Sequence, residues 1–331
     1  MSYARKTVQK NAFRITKARD ITCLRIRVPG GHLETRYFDI IKRIADEYGN
    51  GSVHITTRQG FEIPDIPMTK MAEINEQLIP LLNMINPNFE VTKAGYPAAG
   101  TRNISACIGN RVCPFANDDT TARAADIESA IYPHDFHFKV AVTGCPNDCI
   151  KAHMQDFGII CTVEPVYEAS KCISCSACVD NCKKKVTGAL EMKDFDIVRN
   201  KDLCIGCGEC ILKCPTGAWT RHEKHFYSMV IMGRTGKKNP RIAMPFIKWA
   251  TFDVITAIIK NTYSFVDNYI DRTLPKEHIG YIVDRQGYNV FKEEVFKNIV
   301  LNPEIEIANH MDWSGYWYNS AEVFKTNKGE E

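Results

Sequence analysis

Hydrophobic positions in the first quarter of the chain predict a helix, a strand and a second helix in succession. Residues 34–48 carry apolar side chains at steps of three and four, and Gly49 ends the run. Residues 53–63 are rich in β-branched side chains, which favours a strand with a turn near Gly60. A second amphipathic helix is indicated by Met71, Ile74, Leu78 and Leu81. This order of elements predicts an α+β layer.

Shorter elements are expected further along the chain. Residues 101–114 should form a loop, after which Asn117 or Asp118 should cap a helix that runs through Ala122, Ala125 and Ile127. Strands are predicted at residues 138–142, 157–163 and 226–232. Residues 246–270 are predicted to be helical, with another helix beginning near Lys292.

Composition and charge narrow the class of protein. The 331 residues have an ordinary globular composition, and no apolar run approaches the roughly 20 residues that a membrane span needs. The polar start lacks the apolar segment of a secretory signal, so we expect a cytoplasmic protein. A net charge of +3 does not indicate nucleic-acid binding. The first 30 residues are nevertheless basic and form either a solvated arm or a surface for a polyanionic ligand: Arg5, Lys6, Lys10, Arg14, Lys17, Arg19, Arg25 and Arg27.

The 14 cysteines are bunched at metal-ligand spacing, which favours thiolate ligands over disulfides in a reducing compartment. Eight of them form two C-x2-C-x2-C-x3-C runs, in which three thiolates wrap one cluster and the fourth ligates the other cluster. One [4Fe-4S] cluster is therefore assigned to Cys172, Cys175, Cys178 and Cys214, and the second to Cys182, Cys204, Cys207 and Cys210. Zinc is the competing metal, but zinc sites use two pairs and not repeated quartets.

Four more cysteines lie outside these runs, as a C-x5-C pair and a C-x3-C pair: Cys107, Cys113, Cys145 and Cys149. Their spacing alone predicts only a third cluster. Cys23 and Cys161 belong to neither pattern, and we expect each to be a buried apolar thiol.

Residues 164–222 resemble a bacterial two-cluster ferredoxin, with Lys183 where that family has proline. The segment 143–149, followed by 156–159, resembles the siroheme signature of nitrite and sulfite reductases, as do 101–103 and 56–59. In that family the last cysteine bridges the cluster to the siroheme iron. The resemblance therefore implies that Cys149 is both a cluster ligand and an axial ligand of siroheme.

The same resemblance implies a cationic site for siroheme carboxylates and an anionic substrate. It assigns Arg58 and Arg102 to this site, and Lys139 matches the second lysine of a family Lys-x-Lys motif whose first lysine is His137 here. A histidine can still serve as an acid, whereas the alternatives are solvated or structural roles for these side chains. Residues 233–238 are expected to form a flexible loop whose Arg234 or Lys237 meets a siroheme carboxylate.

The order of parts resembles the dissimilatory-type sulfite reductases, and most of all the C-type subunit of the anaerobic enzymes. The resemblance implies sulfite/nitrite reductase siroheme half-domains with an inserted ferredoxin domain, divided at 1–68, 69–163, 164–222 and 223–331. It also implies electron-donating partners of A and B type, with iron–sulfur, flavin and NADH sites. Because larger sulfite reductases contain two copies of the half-domain, one copy here implies a homodimer.

Two other functions compete with six-electron reduction of sulfite to sulfide. The siroheme signature also serves nitrite reductases, and both substrates are small anions. A subunit with three clusters and no siroheme would instead only transfer electrons. The cationic Arg58, Arg102 and Lys139 argue against this last alternative, and the internal ferredoxin favours sulfite.

Overall fold

A computed structural model describes residues 12–85, 102–131, 137–236, 240–274 and 277–311. Its N-terminal layer is an antiparallel sheet in the order β1-β2-β4-β3, built from β1 (Phe13–Ile15), β2 (Ile21–Ile26), β3 (His54–Ile55) and β4 (Phe61–Pro67). Helices α1 (Phe38–Tyr48) and α2 (Met71–Ile85) accompany it. Alternation of buried and half-exposed residues along β2 points Leu24 and Ile26 into a core shared with both helices.

This layer confirms most of the first sequence predictions. The helix at 34–48 is present, but its first turn, Thr35–Tyr37, is a 3-10 turn. The strand at 53–63 is a hairpin that reverses direction just before Phe61, as the turn near Gly60 predicted. The resulting hairpin, as shown below, carries one of the candidate cations.

A second, mixed sheet forms the core of the larger part. Its strands, in the described part of the chain, lie in the order β14-β13-β12-β7-β6-β5. They are β5 (Ser105–Ala106), β6 (Val140–Thr143), β7 (Phe157–Thr162), β12 (Phe226–Ile231), β13 (Met244–Ala250) and β14 (Glu306–Ile307). Strands β5, β6 and β7 are parallel to one another, and the remaining pairs are antiparallel. Parallel strands put their carboxyl ends at one edge, so the loops after Ala106 and Thr143 meet there.

The helices of this part pack on the sheet through one hydrophobic core. They are α3 (Thr120–Ile131), α6 (Phe252–Tyr269), α7 (Ile279–Gln286) and α8 (Tyr288–Phe296). The predicted cap of α3, Asn117 or Asp118, was wrong. The helix is capped by Asp119, whose carboxylate accepts hydrogen bonds from the Thr121 and Ala122 amides, both at 3.1 Å.

The prediction of one helix over 246–270 was also wrong. Met244–Ala250 is a strand between two others, and the helix begins only at Phe252. A buried apolar run of this length suits a central strand as well as a helix, so periodicity could not separate them. The helix expected near Lys292 begins earlier, at Tyr288, after Gly287 at φ 93° separates it from α7.

The cysteine-rich segment fills the connection between two neighbouring strands. Strands β7 and β12 are antiparallel partners, with Thr162 opposite Phe226, and β8 (Pro165–Tyr167) and β11 (Trp219–Arg221) extend the pairing. The segment has its own small core around the side chain of Trp219. Its other elements are α4 (Ala177–Lys185), β9 (Leu190–Lys193), β10 (Asp196–Arg199) and α5 (Glu209–Lys213). No helix among the described residues is long and apolar enough to cross a membrane.

Candidate active site

The tight turn between β3 and β4 carries the first candidate cation, Arg58. The Thr56 hydroxyl accepts a hydrogen bond from the Gly60 amide at 3.0 Å, and the Thr56 amide donates to the Gly60 carbonyl at 2.8 Å. A Cβ at Gly60 would lie 2.6 Å from the carbonyl oxygen of Ile26, so the strand passes too close for any other residue. The turn is therefore held in one conformation by its own residues.

Side-chain amides bind this turn to the larger part of the molecule. Gln59 donates to the Ala106 carbonyl at 2.7 Å and accepts from the Ala106 amide at 2.8 Å. Asn103 donates to the carbonyls of Arg58 and Val28 at 2.6 and 2.9 Å, and accepts from the Val28 amide at 3.0 Å. This amide clasp, formed by Gln59 and Asn103, holds Arg58 beside the strand that leads into Cys107.

A pocket of about 200 Å³ opens beside the clasp. Five of its lining side chains are guanidinium groups: Arg14, Arg25, Arg27, Arg58 and Arg102. Glu62 binds Arg14 at 2.8 Å and Arg25 at 2.6 Å, while the fully buried Glu128 accepts from Arg27 at 2.7 Å. The carboxylates balance only part of this charge, so the pocket keeps a positive surplus that suits an anionic ligand. Three residues of the basic start, Arg14, Arg25 and Arg27, line this pocket, and the predicted surface for a polyanionic ligand stays a prediction.

Arg58 and Arg102 supply that surplus. The Nε atom of Arg58 is buried and, among the described residues, has no hydrogen-bond partner. Burial lowers the pKa of Arg102 to about 10, and the neighbouring Arg25 and Arg58 contribute. Burial also lowers the pKa of Arg58, which the carboxylate of Asp156 opposes. Two partly dehydrated guanidiniums held close together form a site that an anion would stabilise.

His137 and Lys139 lie next to this pair. Arg102 Nη2 is 3.2 Å from His137 Nδ1, and the His137 ring is stacked 5.0 Å from His278. Lys139 is buried, its ammonium donates to the Thr235 carbonyl at 2.7 Å, and its amide donates to Asp156 at 3.0 Å. Arg58 and Arg102 therefore line one pocket and His137 contacts Arg102, whereas the link to Lys139 is through its backbone amide, which donates to Asp156 near Arg58.

Arg234 is placed differently from the expected flexible loop. Its backbone pairs with that of Arg241, its guanidinium lies 4.4 Å from the centre of the Tyr281 ring, and its side chain is only 5% exposed. Asp284 binds it at 3.3 Å and binds Arg241 at 2.7 Å. Lys237 lies outside the described residues. Arg241, which pairs with Arg234 through the backbone and shares Asp284 with it, was not singled out from the sequence.

The loops that follow β5 and β6 bring four cysteines together. Burial raises the pKa of the Cys145 thiol, and the nearby Cys113, Cys149 and Cys107 thiols raise it further. Cys107 accepts a hydrogen bond from the Gly144 amide at 3.1 Å. Cys149 is exposed. Four thiols around one space, at the carboxyl edge of parallel strands, are the donor set of an iron–sulfur cluster.

The cysteines of the segment 164–222 form two further groups. One cavity is lined by Cys182, Cys204, Cys207 and Cys210. The Cys214 thiol lies close enough to Cys178 to raise the pKa of that thiol, while Cys172 and Cys175 lie in the turns before α4. Burial raises the pKa of Cys214, but hydrogen bonds from Thr216 and from backbone amides outweigh it and bring the pKa to about 7.

The donor chemistry fits the groups that the sequence predicted. All 14 cysteines lie in the described part of the chain, and none forms a disulfide. Within that part, no group of three or more His, Cys, Asp or Glu side chains is arranged for a metal ion. Thiols that surround a cavity suit a polynuclear cluster better than a single ion. The cationic pocket, in which no described residue accepts from Arg58 Nε, likewise fits a polycarboxylate or an oxyanion.

The two unassigned thiols differ in burial. Cys161 is completely buried, and burial raises its pKa well above the usual value, as expected for an apolar thiol. Cys23 is only half-buried, on the face of β2 opposite the core, so the prediction of full burial was wrong there. Burial and the nearby Glu62 raise the pKa of Cys23 to about 11.

Comparisons with known proteins agree with this arrangement. Residues 98–301 match the nitrite and sulphite reductase 4Fe-4S domain, and residues 16–81 match the nitrite/sulfite reductase ferredoxin-like half domain. The chain is 40% identical over 314 residues to the C-type subunit of the anaerobic sulfite reductase of Salmonella typhimurium, covering 93% of each chain. It is 30% identical to the ferredoxin–nitrite reductase of Synechococcus elongatus over 41% of this chain and 25% of that one.

A solved structure shows the same fold. The crystal structure of dissimilatory sulfite reductase I (DsrI) superposes with a TM-score of 0.65 at 17% sequence identity, covering 94% of this chain and 76% of that chain. The predicted α+β architecture of sulfite/nitrite reductase half-domains is thereby confirmed. On these grounds the chain belongs to the nitrite and sulfite reductase family, as a relative of the C-type subunit of anaerobic sulfite reductase.

Proposed function

We propose that this chain is the catalytic subunit of a sulfite reductase, which reduces sulfite to sulfide with six electrons. The observation that carries the proposal is the amide clasp. It holds the turn bearing Arg58 against Ala106, the residue before Cys107. The cations and the cysteine loops of one chain thus have a fixed relative position, so a twofold axis that brings the cysteines of one chain to the cations of the other completes both sites at once.

Each cofactor has its residues in this proposal. The siroheme-coupled [4Fe-4S] cluster is held by Cys107, Cys113, Cys145 and Cys149, and Cys149 also reaches the siroheme iron. The ferredoxin-type [4Fe-4S] clusters keep the ligand sets assigned from spacing, so the chain holds three clusters. When bound, siroheme would supply the iron centre for sulfite reduction, and the clusters would supply its electrons one at a time.

The side chains of the pocket bind and orient the anions. Arg58 and Arg102 bind sulfite and neutralise the negative charge that develops as its oxygens leave as water. His137 and Lys139 lie beside them as proton donors. The outer arginines of the pocket, Arg14 and Arg25, bind siroheme carboxylates, and the expectation that Arg234 or Lys237 meets another of these carboxylates stays part of the proposal.

We propose sulfite and not nitrite as the substrate, because the chain is similar to a sulfite reductase over more of its length. Similarity to a sulfite reductase subunit covers 93% of the chain, whereas similarity to a nitrite reductase covers 41%. That sulfite reductase relative is one subunit of its enzyme, which further supports a complex in which other subunits deliver the electrons.

We expect the purified protein to show strong red-region absorption bands, which siroheme has and iron–sulfur clusters lack. Turnover measured with sulfite and with nitrite, under the same reductant, should favour sulfite in kcat/KM. Absence of the red bands from protein with full iron content would support a subunit that only transfers electrons. Higher kcat/KM for nitrite would instead make it a nitrite reductase.

We also propose a homodimer in which two chains share each site, because this chain carries one copy of the half-domain. An Arg58→Ala chain and a Cys149→Ser chain, each inactive alone, are mixed. Mixed dimers contain one intact site when the cysteines come from one chain and the arginine from the other, so partial activity should return. If mixed dimers form, as differently tagged chains would demonstrate, and all remain inactive, each site is self-contained.

A further inference from the structure

The two cysteine-bearing loops of the segment 164–222 face different surroundings. The inner loop, residues 204–210, lies against the large sheet, where the Gly206 carbonyl accepts the Val163 amide at 2.9 Å. The outer loop, residues 172–178, points away from it, with Cys175 exposed and Ile173 65% exposed. The inner loop is therefore the one in contact with the rest of the enzyme.

The two loops also differ in sequence at the positions between their cysteines. Glycines at 206 and 208 correspond to Ser174 and Ser176 in the outer loop, and all four residues have positive φ, of 64°, 77°, 53° and 60°. The serines adopt this conformation despite its strain, so φ alone does not require glycine in the inner loop. Space does require it. A Cβ at Gly206 would lie 2.9 Å from Thr162, and one at Gly208 would lie 3.0 Å from Asn117 Oδ1.

Asn117 joins the inner loop to the loops after β5 and β6, which carry Cys107 and Cys145 and are here called the cysteine loops. Its buried side chain donates to the Gly206 carbonyl at 3.5 Å and to the Cys161 carbonyl at 3.2 Å, and accepts from Arg221 at 2.6 Å. Its amide donates to the Gly144 carbonyl at 2.7 Å, and the Gly144 amide donates to Cys107 Sγ at 3.1 Å.

These contacts form one continuous connection. It runs from Cys207 through the adjacent Gly206 carbonyl, across the Asn117 side chain and backbone, and through Gly144 to the sulfur of Cys107. Sequence reasoning gave Asn117 only the role of a helix cap, which Asp119 has instead. The side chain of Asn117 therefore makes its hydrogen bonds at the boundary between the inserted segment and the cysteine loops.

We propose that Asn117 is the positioning residue of an electron-transfer junction, in which the inner loop delivers electrons to the cysteine loop at Cys107 and the outer loop receives them. The inference rests on the proposed function. In each step one electron leaves the cluster of the inner loop, which is oxidised, and the cluster at Cys107 is reduced. No bond forms or breaks, and an external one-electron donor re-reduces the outer loop's cluster.

The test uses the holoenzyme with Asn117→Ala. A flash-generated deazaflavin radical reduces the exposed cluster, and absorbance then follows arrival of the electron at the siroheme centre. Electron transfer slows as the distance between donor and acceptor grows, so we expect a displaced inner loop to slow this internal transfer several-fold relative to the wild type. Initial reduction by the radical, iron content and siroheme absorption should stay at wild-type values.

Gly208→Ser is the second variant, because its side chain pushes the inner loop off Asn117 and Val163. It should slow the internal transfer in the same way, even if Asn117→Ala fails to load its cofactors. Ser176→Gly is the matched control at the equivalent position of the outer loop, and its internal transfer should match the wild type.

Hydrogen–deuterium exchange at the Val163 amide measures the junction without any turnover. It should be faster in both junction variants and unchanged in Ser176→Gly, because only the inner loop bonds that amide. Wild-type internal transfer in a variant whose Val163 exchange is faster would overturn the proposal, as would unchanged exchange in both variants. A wild-type protein without siroheme bands would instead refute the proposed function, while Val163 exchange would still report the junction.

Discussion

Replacing Cys149 with serine is expected to abolish sulfite reduction while leaving the two ferredoxin-type clusters in place. Serine removes the thiolate that we assign both to the cluster and to the siroheme iron. Six of the eight cysteines of the segment 164–222 belong to a separate small core, so the clusters of this segment should assemble normally. Iron content should fall by roughly four atoms per chain, one [4Fe-4S] cluster. The measurements are sulfite turnover, iron content and the red absorption bands.

The matched control is Cys23→Ser. Cys23 is half-buried on β2 and lies outside both cysteine patterns, so we assign it no ligand role. Its replacement should leave iron content and turnover unchanged. A Cys149→Ser enzyme that retains siroheme and reduces sulfite at the wild-type rate would contradict the bridging assignment.

Replacing Arg58 with alanine is expected to lower kcat/KM for sulfite on the order of 100-fold or more, because a buried cation aimed at developing negative charge is lost. The four cysteines at the neighbouring edge are untouched, so iron content should remain. Arg58→Lys should recover part of the activity, since it keeps the charge but not the planar fork. Lys139→Ala should behave like Arg58→Ala if its ammonium faces the substrate as we propose.

The control for this series is Arg19→Ala. The Arg19 side chain is 96% exposed, and its ion pair with Asp20, at 3.6 Å, lies on the surface. Its loss should change neither turnover nor iron content. Kinetics at limiting and at saturating sulfite would separate the two roles of Arg58. A rise in KM alone would assign Arg58 to binding, and wild-type values of both constants would remove it from the site.

The sequence predicted the fold best where the local hydrophobic periodicity was compatible with only one type of secondary structure. Helix α1 followed from apolar steps of three and four, and the β3–β4 hairpin followed from β-branched alternation and Gly60. The prediction failed at Met244–Ala250, because a buried apolar segment beside a helix looks the same in the sequence whether it is a strand or a helix. Only the flanking strands, β12 and β14, decide that this run is extended.

What the sequence by itself determined is the family to which the chain belongs, and it also predicted how the cysteines group. Cluster ligands are set by short gaps of two, three or five residues, and such gaps are visible in one dimension. Tertiary structure alone decided which cations share a pocket, because Arg25, Arg58 and Arg102 come from separate elements and meet only through the amide clasp. It also decided that Asn117 faces Gly206, a contact between residues far apart in the chain that no local pattern encodes.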